Sequence, residues 1–198
     1  MSRWIDPVTL ENRHVRLEPL AATHADDLAQ AVADGELWRL WYTSVPAPDD
    51  VPAYIDTARR EAANEEGQAF AVRRFDDQRV VGCTRYCHAD AANRRLEIGW
   101  TWYAAGAQRS AVNTACKRLL LGHAFETLAC IAVELRTHWF NHNSRTAIER
   151  LGARLDGVLR NHRILADGSY RDTVVYSILV SEWPAVRRHL DHQLERRA

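Results

Sequence analysis

The chain has 198 residues, 46% hydrophobic and 26% charged, and its 26 Lys+Arg balance 26 Asp+Glu to give a formal net charge of zero and a pI near 7.1. This suits one globular domain, 1–198, with a real core, and neutrality argues against a nucleic-acid binder held by phosphate contacts or a polybasic membrane patch. No apolar run approaches the ~20 residues that span a bilayer, and Met1 to Leu10 carries Arg3 and Asp6, with Glu11 just beyond, unlike a signal peptide.

Residues 13–19 alternate, with His14, Arg16 and Glu18 against Val15 and Leu17, and predict an amphipathic strand. Thr23 opens a T-x-x-D capping pattern with Asp26, and Ala25, Leu28, Ala29 and Val32 recur at helical spacing until Asp34-Gly35. The aromatic run Leu37-Trp38-Arg39-Leu40-Trp41-Tyr42 is followed by Pro46 and Pro48, which break the chain. Asp50 is the expected cap of a second helix with Pro52 in its first turn, and Gly67 its expected end. Strands are expected at 69–75, 79–88 and 94–103, with turns at Asp76-Asp77 and from Asp90 to Asn93.

A longer helix is expected from Val112 to Leu128, carrying Cys116, Leu119, Leu120 and Ala124 on one face. A strand at 131–137 and a short helix from Ser144 to Leu151, closed by Gly152, come next. Residues 154–165 and 170–180 form a hairpin around Asp167-Gly168, and Ser181 is the expected cap of a last helix with Trp183, Val186, Leu190 and Leu194. The order β α α β β β α β α β β α predicts an α/β (α+β) layered domain with a mixed sheet. It lacks the regular alternation of a dinucleotide fold.

The basic residues are 25 Arg and a single Lys, Lys117. Composition bias explains this simply, while position decides whether any Arg binds an anion. Cys83, Cys87, Cys116 and Cys130 are too few and scattered for a disulfide framework and fit a reducing cytoplasm. Cys83 and Cys87, four apart on a strand, lie roughly 13 Å from each other and cannot share a metal ion.

The loop Ala104 to Ala111 joins a strand to a helix. Small residues there, with Gln108, Arg109, Ser110, Asn113 and Thr114, suit either a pyrophosphate cradle on a helix N-terminus or a plain turn. The run Leu135 to Ser144 is a strand end, a polar turn and a helix start. Asn143 or Ser144 is its expected cap, which leaves Asn141 for a ligand amide.

Gln108-Arg109-Ser110-Ala111-Val112-Asn113 resembles the Q/R-x-x-G-x-G/A loop of the GNAT superfamily of acyl-CoA-dependent N-acyltransferases. Asn141-x-x-Ser144, then Leu151-Gly152, keeps that superfamily's N-x-x-A…L-G spacing. Glu97-Ile98-Gly99-Trp100-Thr101-Trp102, Val112-Asn113-Thr114, Ala124-Phe125-Glu126, the segment Ser144 to Ala153 and Asp167-Gly168-x-x-Arg171-Asp172-Thr173 resemble its RimJ/RimL branch of ribosomal-protein N-terminal acetyltransferases. The likeness runs over residues 10 to 190. It implies a seven-stranded twisted sheet, flanked by helices and splayed between its fourth and fifth strands, with acetyl-CoA as cosubstrate in the split.

On the same resemblance the pantetheine pairs with Trp102 and Tyr103, the pyrophosphate sits on the N–H groups of Arg109, Ser110, Ala111, Val112, Asn113 and Thr114, and Asn141 binds the pantetheine arm. Two departures stand out. The loop glycine is Ala111, and Ile148 stands where many members place an acidic Tyr, so Ser144 becomes the expected proton donor to the leaving thiolate. Glu97 is the expected base, with His138 and His162 behind it. Trp38, Trp41, Tyr42 and Tyr176 are the candidate acceptor contacts, for a peptide N-terminus or a small amine. No metal, nucleic acid or membrane partner is expected, and dimers are common in the branch. The competing expectations are a succinyl-type acyl donor and a CoA-binding module without turnover.

Overall fold

The computed structural model describes residues 3–196. Met1, Ser2, Arg197 and Ala198 lie outside the described residues, so the readings of the N-terminal segment and of the full span 1–198 fall partly outside them. The strands are β1 (Leu10–Glu11), β2 (Val15–Pro19), β3 (Gln68–Arg74), β4 (Val80–Asp90), β5 (Arg95–Tyr103), β6 (Ala132–His138), β7 (Arg154–Ile164) and β8 (Tyr170–Leu179). They form one sheet in the order β1-β2-β3-β4-β5-β6-β8-β7. The helices are α1 (Ala25–Ala33), α2 (Val51–Ala63), α3 (Val112–Gly122), α4 (His142–Glu149) and α5 (Trp183–Glu195). The sheet thus has eight strands where the sequence predicts seven. The additional one, β1, pairs only Leu10 with Leu17 and Glu11 with Arg16, too short for alternation to reveal it.

Two apolar layers cover the sheet. Leu17, Phe70, Leu96, Ile98, Val133 and Leu135 pack with α3 and α5 on one face. Ala69, Ala71, Cys83 and Trp102 pack with Leu28, Val51 and Ile55 of α1 and α2 on the other. Strand β3 supplies both layers, which is why its sequence shows no clean polar alternation.

The sheet opens between β5 and β6, the predicted fourth and fifth strands. This parallel pair is in register only at Arg95–Ala132, Leu96–Val133 and Glu97–Glu134. Just beyond, β5 carries a bulge: Arg85 of β4 faces Gly99 and Cys83 faces Trp102, so β5 has one residue too many. Trp100 takes up the excess at φ 51°. A bulge bends its strand and ends regular pairing, and here β5 leaves β6 at that point.

Several helix ends differ from expectation. Thr23 is not the cap of α1: a 3₁₀ turn, Ala22–His24, leads into the helix, and the His24 ring braces that turn, with Nδ1 accepting from the Ala21 N–H at 3.1 Å and Nε2 meeting Glu18 at 3.1 Å. Asp50 precedes α2 without a side-chain cap, because a 3₁₀ turn, Pro48–Asp50, leads into the helix. That helix ends at Ala63, before Gly67, and Gly67 answers a different need. A Cβ there would lie 2.0 Å from the Tyr86 carbonyl oxygen.

Helix α3 runs on through a π turn, His123–Thr127, to the expected end near Leu128. Helix α4 starts two residues before Ser144, capped by Asn141, and closes at Gly152 with φ 97°. Before α5 the N-cap is Glu182 rather than Ser181, and its Oε2 accepts from the Leu179 N–H. The β7–β8 turn at Asp167-Gly168 closes through Leu165 N–H to Ser169 O at 2.8 Å. Among the described residues no helix is long and apolar enough to cross a membrane.

Candidate active site

The opening between β5 and β6 is a cleft of about 670 Å³. Its walls are β5 from Glu97 to Tyr103, β6 from Leu135 to His138, the Gln108–Ser110 loop, one face of α3, helix α4 and the β7–β8 hairpin. Ten of the expected site residues line it: Tyr42, Glu97, Trp102, Tyr103, Gln108, Arg109, Ser110, Asn113, Asn141 and Ser144.

At one end the loop is braced by its own polar side chains. Gln108 Nε2 donates to Tyr103 O at 3.1 Å, and Ser110 Oγ donates to Ala107 O at 2.6 Å and accepts the Val112 N–H at 3.2 Å. Ala111 sits at φ −70°, so alanine fits where the family pattern has glycine. The left-handed residue is Arg109, at φ 59°. As N-cap, Ala111 offers no side-chain acceptor, and the first turn of α3 holds no acidic residue. A helix start of this kind presents N–H groups and positive potential to an anion.

Ala111, Val112 and Thr114 lie in this turn but do not line the cleft. Arg150, missed in the sequence, reaches the turn through Thr114 Oγ1 at 3.3 Å. Arg145, which is spaced as suitably in sequence, is drawn off by Tyr176 Oη at 3.3 Å and lies 4.6 Å over the Trp139 ring.

In the middle, Asn141 Oδ1 accepts the Ser144 N–H at 3.1 Å. The asparagine carbonyl is therefore the helix cap, correcting the assignment of that role to Asn143 or Ser144, and its two Nδ2 hydrogens and one oxygen lone pair remain for a ligand. Ser144 is half-buried in the first turn of α4. Behind the β5 bulge, Lys117 Nζ donates to Thr101 Oγ1 at 2.8 Å and reaches Thr84 Oγ1 at 3.5 Å. Burial pushes this amine down to about 8.

The face of the sheet away from α3 carries a chain of charges. His88 Nδ1 lies 2.9 Å and Arg136 Nε 3.4 Å from Glu97 Oε2. Arg136 also binds Glu134 at 2.7 Å, and Glu134 binds Arg95 at 2.6 Å. Glu97 Oε1 sits over Gly99, where a Cβ would come within 2.7 Å of it. Hydrogen bonding to Glu97 raises the His88 pKa above its ordinary value.

Cys87, His88 and Glu97 bring possible ligand atoms within 4.8 Å of one another. Arg136 already occupies that carboxylate and burial holds the Cys87 thiol protonated, so the donor set fits a metal ion poorly.

His138, 2% exposed, accepts the Phe140 N–H on Nδ1 at 3.1 Å, so its neutral ring carries the proton on Nε2. That nitrogen has no hydrogen-bond partner. The ring is a donor in this arrangement, which removes it as a base. His162, the other alternative, lines the cleft with Nδ1 3.1 Å from Thr173 Oγ1. Of the aromatic candidates, only Tyr42 lines the cleft. Trp41 packs its edge 4.9 Å from His138, and Trp38 packs against the second apolar layer. Tyr176 is a core residue with Oη donating to Glu149 at 2.8 Å, so it does not face an acceptor.

The family model described as an Acetyltransferase (GNAT) domain matches residues 14–154. No curated protein matches the chain. A GCN5-related N-acetyltransferase from Brucella melitensis is 30% identical, with a TM-score of 0.85 over 95% of this chain and 86% of that one. An acetyltransferase-assigned structure from T. thermophilus is 35% identical, with a TM-score of 0.84 over 96% and 99%. Mycobacterium smegmatis RimJ in complex with CoA-disulfide shares the fold, at 23% identity and a TM-score of 0.79 over 94% and 95%.

Proposed function

Because the chain belongs to the GNAT acetyltransferase family, we propose that it moves an acetyl group from acetyl-CoA to a primary amine by direct attack in a ternary complex. The observation that carries this is the wedge between β5 and β6, with a helix start free of acidic residues at one end and the Glu97 carboxylate on the far face. When bound, acetyl-CoA supplies a thioester carbon open to attack by an amine. The residues around the wedge fit it: the first turn of α3, with Arg109 and Arg150, suits the phosphates, and the splayed edge of β5 offers unpaired backbone to an extended pantetheine arm.

Glu97 takes the proton that the attacking amine must lose, directly or through water. Oε2 is held by His88 and Arg136, and Oε1 is the free oxygen for this task. Ser144 gives its hydroxyl proton to the sulfur as the C–S bond breaks. We take the protein as one acyltransferase domain over residues 1–198, acting in the cytoplasm with its four buried cysteines reduced. The test is thiol release from acetyl-CoA over a panel of amines and peptide N-termini. Amine-dependent release with formation of the N-acetyl product is expected. Tight acetyl-CoA binding without release for any amine would make the protein a CoA-binding module instead.

A further inference from the structure

Strands β7 and β8 set Arg163 directly opposite Arg171. Like charges facing each other across an antiparallel pair oppose folding. Another opposed pair, Arg16 and Arg73, is neutralised by Glu11 and Glu18, and on this same hairpin Arg160 pairs with Asp172. Among the described residues neither Arg163 nor Arg171 has a carboxylate partner.

Both line the cleft, and Arg171 is built into it. Its Nε donates to Thr173 Oγ1 at 3.1 Å, and Thr173 is itself buried. This bond leaves the terminal nitrogens of the guanidinium for another acceptor. Burial, and next the neighbouring Arg163, lower the Arg171 pKa, with Glu97 opposing them. The two arginines and the carboxylate therefore act on one another within one site. A third donor without an acceptor, His138 Nε2–H, stands on the same wall, since His138 faces Thr173 across β6 and β8.

Position says which ligand these donors serve. Val174, Tyr176 and Ile178 of β8 point into the core beneath α3 and α5, so Thr173 and Arg171 lie on the opposite face, as does Glu97. The α3 start that suits the phosphates is on the other side of the wedge. A carboxylate for an ammonium group beside guanidiniums for an acid is the complement of a molecule that carries both.

We propose that Arg163 and Arg171 bind a carboxylate or phosphate carried by the acceptor, which makes the acceptor a small amine with an acidic substituent, such as an α-amino acid or an aminoalkyl phosphate. This rests on the acetyl-transfer reading above. It is tested with amine pairs that differ only in the acid, an α-amino acid against its amide and phosphoethanolamine against ethanolamine, with thiol release followed in both. The acidic member of at least one pair is expected to have kcat/KM about tenfold or more above its neutral partner, and the ratio should fall to near one in Arg163→Gln/Arg171→Gln. Because the ratio is taken within one variant, a general loss of activity cancels.

A ratio of one in the wild type for both pairs overturns the proposal. So does a preference for succinyl-CoA over acetyl-CoA that the double variant abolishes, since the anion would then belong to the donor. If no amine releases thiol, the acetyl-transfer reading fails by itself. Calorimetric titration of the same acidic amines into the CoA-loaded protein then decides: binding that the double variant weakens about tenfold supports the subsite, and no binding overturns it.

Discussion

At the residue scale the two proposed proton carriers separate by kinetics. Ser144→Ala is expected to lower kcat by about 10²-fold or more while the Kd for acetyl-CoA changes little. An unchanged kcat would assign the thiolate's proton elsewhere. Glu97→Gln should depress kcat by about 10²–10⁴-fold, with the loss greatest at low pH, where fewer acceptor amines are already neutral. A pH profile identical to the wild type would move the base off Glu97.

Lys117 gives a stability signature of its own. Its folded pKa, about 8, lies below the ordinary 10.5. Between those values the unfolded chain holds a proton that the fold has released, so this group makes stability rise with pH across that window, by about 3 kcal/mol. The buried thiols work the other way, because burial raises their pKa values and the unfolded chain ionises them first. The difference between wild type and Lys117→Met isolates the lysine. Denaturant midpoints at pH 7.5 and 10 should show the wild type gaining on the variant, and parallel behaviour would refute a neutral buried amine. Motif spacing or strand position singles out Ser144, Glu97 and Asn141 in the sequence, and the structure brings all three to the cleft. Nothing in the sequence singles out His88 or Arg163, whose surroundings depend on which residue faces them across a strand pair, and Arg171 shows there only as part of a family motif.

At the element scale, Asn141 caps α4 and is proposed to hold the pantetheine arm, two roles that a substitution can part. Asn141→Ala removes the cap of α4 and should cost about 1 kcal/mol, or roughly 2–4 °C in Tm. Asn141→Asp keeps the accepting oxygen and should restore stability. If the Nδ2 hydrogens also hold the pantetheine arm, the aspartate variant stays stable yet binds acetyl-CoA more weakly, and equal affinity would leave Asn141 as a cap alone. The periodic elements match the sequence pattern, down to the end of the long helix near Leu128, although the pattern gives no sign of the π turn within it. The ends were read less well. A cap is a local hydrogen bond, and Thr23, Asp50 and Ser181 each have the right side chain while a neighbour or a 3₁₀ turn takes the position. Nor does residue type mark the β5 bulge: Trp100 is a bulky residue at φ 51°, and only the register with β4 reveals it.

For the whole molecule, three residue pairs join β5 to β6, and from there the two parts of the sheet separate. A ligand in the wedge bridges them. Acetyl-CoA at about 100 times its Kd should add about 2.7 kcal/mol, raising Tm by roughly 5–10 °C for a chain of this size. Hydrogen exchange should slow most over residues 98–103 and 135–138. Equal protection throughout the chain, or none at these strands, would place the ligand elsewhere. Mixed-sheet order, the position of the split and the helix at its mouth were all readable from element order and family motifs. The charges on the far face were not, because a net charge of zero conceals how unevenly they are distributed.

The single lysine has a consequence for the chemistry this protein is proposed to perform. Thioesters acylate exposed lysines without any catalyst, and a protein that works among them is exposed to that damage throughout its life. Here the other 25 of the 26 Lys+Arg side chains are arginines, which do not react this way under neutral conditions. The one side-chain amine is buried, with its Nζ bound to threonine hydroxyls. After prolonged exposure to excess acetyl-CoA, intact-mass spectra should show no more than one added acetyl group, at the chain terminus, and a mass shift at Lys117, which borders the cleft, would show that burial and its threonine bonds do not shield it from the donor.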